Sequence, residues 1–263
     1  DIVDHGTERH GVPTLHRFIE ELLEQDEREG DLKHVAAGQA MLLGDCFHAC
    51  ANHLMMKDVK SKPLYLNRVR LQFDAMVQEV MLGEMVDVDL ATRHHGSHTL
   101  IERKMYLKTA SYTFVRPMKM GVALAGGGKK MEQFCEAFGK ALGLAFQIQD
   151  DLLDLTASAE TIHKNVFSDL REHQHTVFTQ VIFEEGTRAQ QAELRSLLGA
   201  DLHEKDRPRI DKLFRDSGAL DKGRHLMNEY FKAAEQELAN LKVDTAHKKP
   251  LHELVEYIRK RAH

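Results

Sequence analysis

The sequence is poor in the residues that break helices and build strands. It holds 5 prolines in 263 residues, and no alternation of apolar and polar side chains survives beyond a few positions. That scarcity excludes a sandwich or barrel, which needs many short strands with turn signals between them. Cysteine is scarce too. Cys46, Cys50 and Cys135 are odd in number and form no CxxC pair, so neither a disulfide framework nor a thiolate metal site is expected. Cys46 and Cys50 share one helical stretch and read as small core residues. A reducing cytoplasm is the simplest compartment. No apolar run reaches the length of a membrane span. Excess positive charge is missing as well: the formal charge is −5, which argues against a general nucleic-acid binder. The 17 histidines include no HExxH, and the two ExxH spacings, Glu160–His163 and Glu172–His175, fall in the polar stretch before Thr176 rather than on two long helices, so zinc and di-iron sites are not expected. The chain opens at Asp1 with no Met, signal peptide or targeting pattern, and a front segment is expected before it.

What is present is helical periodicity. It predicts helices over 13–29, 34–57, 62–91, 98–125, 130–155, 176–185, 187–198, 204–216, 220–241 and 250–261. Pro117 is the expected kink of the fourth, Gly126-Gly127-Gly128 is a breaker, and 156–168 is a polar loop. The stretch 34–57 is apolar through Val35, Ala36, Met41, Leu42, Leu43, Phe47 and Leu54. No linker and no internal repeat divides the chain. The expectation is one all-α domain over 1–263, a bundle of long antiparallel helices around a central cavity, with functional side chains in the bundle core.

One stretch stands out, Phe146-Gln147-Ile148-Gln149-Asp150-Asp151-Leu152-Leu153-Asp154. On a helix, residues three and four apart lie one above the other. Gln147, Asp150, Asp151 and Asp154 therefore form a polar stripe on an otherwise apolar run. Carboxylates about 5 Å apart at an effective dielectric of about 20 repel by roughly 3 kcal/mol per pair. A hard cation would relieve that, and Mg²⁺ is held by a few carboxylates with water and substrate phosphates. Alone, the stripe is equally an exposed acidic helix face.

Asp1-Ile2-Val3-Asp4 is a second carboxylate pair, followed by Arg9-His10-Gly11 and Pro13-Thr14. Two acidic segments could share divalent cations, which invite a polyanion such as a diphosphate. Lys108-Thr109-Ala110 lies in an apolar helix, and Lys164 precedes Ser168-Asp169-Leu170-Arg171-Glu172. A lysine on an apolar face usually snorkels to solvent, and a loop lysine is usually just solvated.

In combination these segments resemble the trans-isoprenyl diphosphate synthases, the polyprenyl synthetase family, over the whole chain and in motif order. The segment 1–14 is similar to the tail of a first DDxxD motif with its RRGxPT continuation. Leu43-Gly44-Asp45 is similar to an AGD segment, Gly83-Glu84-Met85-Val86-Asp87 to GQxxD, and Lys108-Thr109-Ala110 to KTA. Residues 146–154 match FQxxDDxxD, and 164–176 resemble the GKxxGSDLREGKxT loop. The ordered pair KTA and FQxxDDxxD is the specific part of the signal.

The resemblance implies head-to-tail condensation of isopentenyl diphosphate with an allylic diphosphate, giving a farnesyl- or geranylgeranyl-type product. It implies Mg²⁺, three ions per site, on Asp1, Asp4, Asp150, Asp151 and Asp154. Arg9, His10, Lys108, Thr109, Gln147 and Lys164 would bind substrate, with Lys108, Asp150 and Lys164 closest to the chemistry. A homodimer is implied too. Departures are visible. The motif's first aspartate and the upstream helices are not in the sequence, and His10 stands for an arginine. His163, Asn165 and Phe167 replace a Gly, Pro and Gly pattern, while His173 and Gln174 stand for Gly and Lys. The acidic stretch 17–31 is long. Two other readings share the fold: a weakly active regulatory subunit of a heteromeric synthase, and a class I terpene cyclase. The intact Asp150, Asp151 and Asp154 speak against the first, and Lys108 with FQxxDDxxD against the second.

Overall fold

The computed structural model describes residues 2–3, 6–9, 11–57, 60–157 and 166–261. The fold is all-α; the described residues contain only one pair of two-residue strands. The chain forms two compact units, Asp1–Ser61 and Lys62–His263.

In the first unit, strands β1 (Glu8–Arg9) and β2 (Val12–Pro13) pair antiparallel with Arg9 opposite Val12. Gly11 turns between them at φ 76, a conformation that suits a residue without Cβ. The Thr14 hydroxyl donates to the Gly6 carbonyl at 2.8 Å, fixing the entry to helix α1 (Leu15–Gln25). This helix is shorter than the expected 13–29. Pro13 belongs to β2, and Asp26, Glu27, Glu29 and Asp31 would set negative charge against the C-terminal end of the helix dipole. Asp31 instead caps α2 (Leu32–Met56), accepting from the His34 amide at 3.1 Å. The unit's core is small: Ile19 against Ala36 and Ala40. Met41, Leu42, Phe47 and Leu54 are exposed, and so are Cys46 and Cys50. The core expectation for the two cysteines is thus overturned, because the core between α1 and α2 stops at Ala40.

The second unit contains α3 (Pro63–Ala91), α4 (His98–Met105), a π-helical segment (Tyr106–Val115), α5 (Arg116–Leu124) and α6 (Lys129–Thr156). After these come α7 (Ser168–Arg171), α8 (Val177–Glu185), α9 (Arg188–Leu197), a 3₁₀ turn (Glu204–Asp206), α10 (Arg207–Asp216), α11 (Ala219–Asn240) and α12 (Thr245–Lys260). Helix α6 is the axis, packed on α11, the π segment and α5. Its Phe138, Leu142, Leu144 and Ile148 are 0% exposed, each contributing roughly 1.5–3 kcal/mol by burial. Gly143 is what lets α6 close on the π segment, since a Cβ there would lie 2.4 Å from Ala110 Cβ.

The boundaries of most predicted helices hold to within two residues. Two differences concern proline. The predicted helix 98–125 runs without a gap through α4, the widened turns of Tyr106–Val115 and α5, and the return to α-helical turns falls at Arg116, beside Pro117. Pro117 sits in the first turn of α5, directly after the widened turns, and has no N–H to bond back into them. Pro250 lies inside α12, which starts at Thr245.

Candidate active site

The acidic stripe closes the C-terminal turns of α6. Asp151 is 6% exposed, so the stripe is not a solvated helix face. Gln147 Nε2 donates to Asp151 Oδ1 at 2.7 Å, and Gln147 Oε1 accepts from Thr109 Oγ1 at 2.5 Å. Asp154 accepts from the Ser168 and Asp169 amides, both at 3.0 Å, and from Ser168 Oγ. It thereby anchors the start of α7 and brings Asp169 to the stripe. Burial is the main force on Asp151, pushing its carboxyl up to about 7; Lys104 and Gln147 oppose this, while Asp150 and Asp154 add to it. Burial likewise raises Asp154 and Asp169, and neighbouring carboxylates add to both. Asp150 is the exposed member. The Arg261 guanidinium pairs with it and lies 4.4 Å over the Phe146 ring.

A basic cluster is built from α3, α4 and the π segment. Gly83 lets α3 touch that segment: a Cβ on it would lie 2.5 Å from the Lys108 amide nitrogen. Asp87, one turn further and 2% exposed, accepts from Lys104 Nζ at 2.9 Å through Oδ1 and from Lys108 Nζ through Oδ2. Glu84 is 3.1 Å from Lys108. Burial opposes the charge on Asp87, but Lys104 and Lys108 together hold its carboxyl below the ordinary range. Lys108 is held above the usual lysine range: partial burial works against its charge, and Asp87 and Glu84 outweigh it. The hydrogen-bonded run Thr109–Gln147–Asp151 joins this cluster to the acidic stripe.

The profile of the family described as Polyprenyl synthetase matches residues 1–216. The chain belongs to the polyprenyl synthetase family. A geranylgeranyl diphosphate synthase of Methanosarcina mazei is 27% identical over 188 residues, covering 72% of this chain and 52% of its own length. One from Sulfolobus acidocaldarius is 30% identical over 185 residues, covering 67% and 49%. The chain therefore spans about half the length of these relatives. A geranylgeranyl pyrophosphate synthase of Corynebacterium glutamicum, solved with isoprenyl diphosphate and magnesium, superposes with a TM-score of 0.91 at 26% identity, over 99% of this chain and 74% of that one.

For a polyprenyl synthetase family member, the placement of the expected residues is uneven. Lys108, Thr109, Gln147, Asp150, Asp151 and Asp154 come together in the second unit. Arg9 lies on β1 of the first. Asp1, Asp4, His10 and Lys164 fall outside the described residues. Near the C-terminus, Arg261 reaches the stripe, while Arg259 pairs with Glu235 at 2.8 Å and Lys260 with Glu256 at 3.2 Å. Sequence reasoning gave no role to Asp87, Asp169 or Lys104. The first two lie inside quoted motifs, and Lys104, preceding Lys108 by one helical turn, carried no signal.

The donor set suits a hard divalent cation. It is all oxygen, and Asp151 and Asp154 are raised by burial and by neighbouring carboxylates, a penalty that a bound cation would cancel. Among the described residues no group of three His, Cys, Asp or Glu side chains is arranged to hold a metal ion alone. Mg²⁺ suits such an open arrangement, because it keeps several waters and takes one or two carboxylates together with substrate phosphates.

Proposed function

We propose that the chain is a Mg²⁺-dependent prenyltransferase that condenses isopentenyl diphosphate with an allylic diphosphate to give a geranylgeranyl- or farnesyl-type product. The observation that carries this reading is the run Thr109–Gln147–Asp151, which sets a lysine-bearing segment beside a buried acidic stripe. In the reaction, the allylic C–O bond ionises and negative charge grows on the departing diphosphate. Lys108, kept cationic by Asp87 and Glu84, donates to that diphosphate. Bound Mg²⁺ would neutralise further charge at Asp150, Asp151 and Asp154. Preorganised donors of this kind act without reorganising during the reaction. Thr109 and Gln147 hold Asp151 in place, and the apolar faces of the helices keep water from the cation. The family resemblance extends the same assignment to Asp1, Asp4, Arg9, His10 and Lys164, and the number of ions to three.

The homodimer is part of the proposal. Leu71, Leu82 and Met85 of α3 are 58%, 51% and 67% exposed, an apolar stripe of the kind a partner covers. Among the described residues no helix is long and apolar enough to cross a membrane. Cytoplasmic location also belongs to the proposal, supported by three free cysteines, two of them exposed and a turn apart.

The test supplies the protein with Mg²⁺, radiolabelled isopentenyl diphosphate and dimethylallyl, geranyl or farnesyl diphosphate. Mg²⁺-dependent incorporation into a longer prenyl diphosphate is expected. No incorporation with any primer would overturn the reading.

A further inference from the structure

Lys104 has no part in the reaction as written, yet it is the only buried lysine among the described residues, 8% exposed. A buried ammonium needs acceptors for its N–H bonds. Lys104 finds them on two separate segments. Its Nζ donates to Asp87 Oδ1 on α3 at 2.9 Å and to the His175 carbonyl at 2.9 Å. Gln174 completes the group: turned with its nitrogen toward Asp87, its carboxamide donates to the same carboxylate. Lys108 holds the other oxygen of Asp87.

Two consequences follow from this geometry. Asp87 paired with Lys108 alone would match the charge of Lys108. With Lys104 present, two ammonium groups share one buried carboxylate, and Glu84, 3.1 Å from Lys108, balances the pair instead of leaving the cluster net negative. Lys104 also ties the segment 173–176, which turns through His173 at φ 57, to α3.

We propose that Lys104 is a positioning residue for prenyl transfer: it anchors Asp87 and the 173–176 segment so that Lys108 stays in place with charge available to a substrate diphosphate. The inference rests on the functional reading above for the identity of that substrate.

The test compares wild type with Lys104→Met and with Lys104→Met/Gln174→Lys, which returns an ammonium beside Asp87 from the neighbouring segment. Two quantities are read with Mg²⁺ present: KM for each substrate, and the calorimetric affinity for inorganic diphosphate. Lys104→Met is expected to raise the allylic KM and the diphosphate Kd about tenfold, with KM for isopentenyl diphosphate within about twofold. The added Gln174→Lys is expected to restore both to within about threefold of wild type. Unchanged diphosphate affinity in Lys104→Met would overturn the proposal. So would an equal loss for both substrates that Gln174→Lys does not repair. Should Lys104→Met fail to fold, the double variant decides alone: near-wild-type diphosphate affinity supports the role, and a folded protein about tenfold weaker rejects it. A wild type without turnover would sink the prenyl-transfer reading, and the diphosphate affinities of the variants would still decide this one.

Discussion

The acidic stripe and the basic cluster occupy the same unit and solve opposite problems. Around Asp87 the charges are matched: each carboxylate oxygen has a lysine, and the carboxyl lies below its ordinary range. Around Asp151 they are not. Three carboxyls, the buried Asp151 and the half-buried Asp154 and Asp169, are all raised, and Lys104 only moderates two of them. The basic cluster is complete within the chain, whereas the acidic stripe is strained until something cationic arrives. Assembled lysines act as a fixed anchor, and strained carboxylates act as a receptor.

The largest contrast should appear in activity. Replacing Asp150 and Asp151 together with Ala removes the receptor, and kcat/KM should fall about 10³-fold or more, with Mg²⁺ dependence abolished. Lys108→Ala removes one of several donors and should cost about 10²-fold while leaving the Mg²⁺ requirement intact. Incorporation of isopentenyl diphosphate at varied Mg²⁺ reads both. Equal losses with unchanged Mg²⁺ response would erase the distinction between the two clusters.

Next in size is a pH effect on stability. The Asp151 carboxyl sits at about 7 in the folded protein against an ordinary 3.8. An acid raised on folding binds its proton more tightly when folded, so stability is fully present below about 4 and is lost as pH rises through about 7. Metal-free protein should lose a few kcal/mol across that window, and Mg²⁺ should restore much of it at the upper end. Asp151→Asn should flatten the profile. Thermal unfolding at several pH values with chelator would show this, and a metal-free protein that gains stability toward pH 7 would contradict it.

The two clusters were unequally legible in the sequence. Residues 146–154 could be read because their carboxylates lie three and four residues apart on a helix, and Lys108-Thr109-Ala110 because it is a short contiguous segment that the family resemblance covers. The long helices were legible for the same reason, their apolar period running over many turns. Non-local features could not be read. Asp169 joins the stripe only because Asp154, at the end of α6, accepts from the first amides of α7. The absence of a lysine at position 174 was visible as a departure, but not the arrival of the Lys104 ammonium at the carboxylate that Gln174 faces. The exposure of Cys46 and Cys50 depends on where α1 stops covering α2, which composition does not encode. Pro117 marked only where the widened turns end; the close approach of α3 and α6 to those turns at Gly83 and Gly143 was not legible.

That crowding gives a third way to separate the clusters. Gly83→Ala would place a methyl against the Lys108 backbone, and overpacking of this kind costs about 1–3 kcal/mol. The basic cluster should bear the damage: urea unfolding should show the loss of stability, and diphosphate affinity should weaken while the pH profile of Asp151 stays unchanged. A shifted pH profile would mean that the clusters move together.

The smallest effect belongs to the opposite side. Ser168 donates its hydroxyl to Asp154 Oδ1, beside its own amide and that of Asp169. Ser168→Ala removes one of three donors to a half-buried carboxyl that is already raised. The two amides remain, so the loss should be about 1 kcal/mol rather than the larger penalty of an orphaned charge. The Asp154 carboxyl should rise further, because a donor to its ionised form has gone. Chelated protein at pH 7 should therefore unfold at slightly lower urea than wild type, and the gap should narrow on acidification, as Asp154 takes up its proton in both. A gap that widens on acidification would mean that the hydroxyl serves α7 and not the carboxylate.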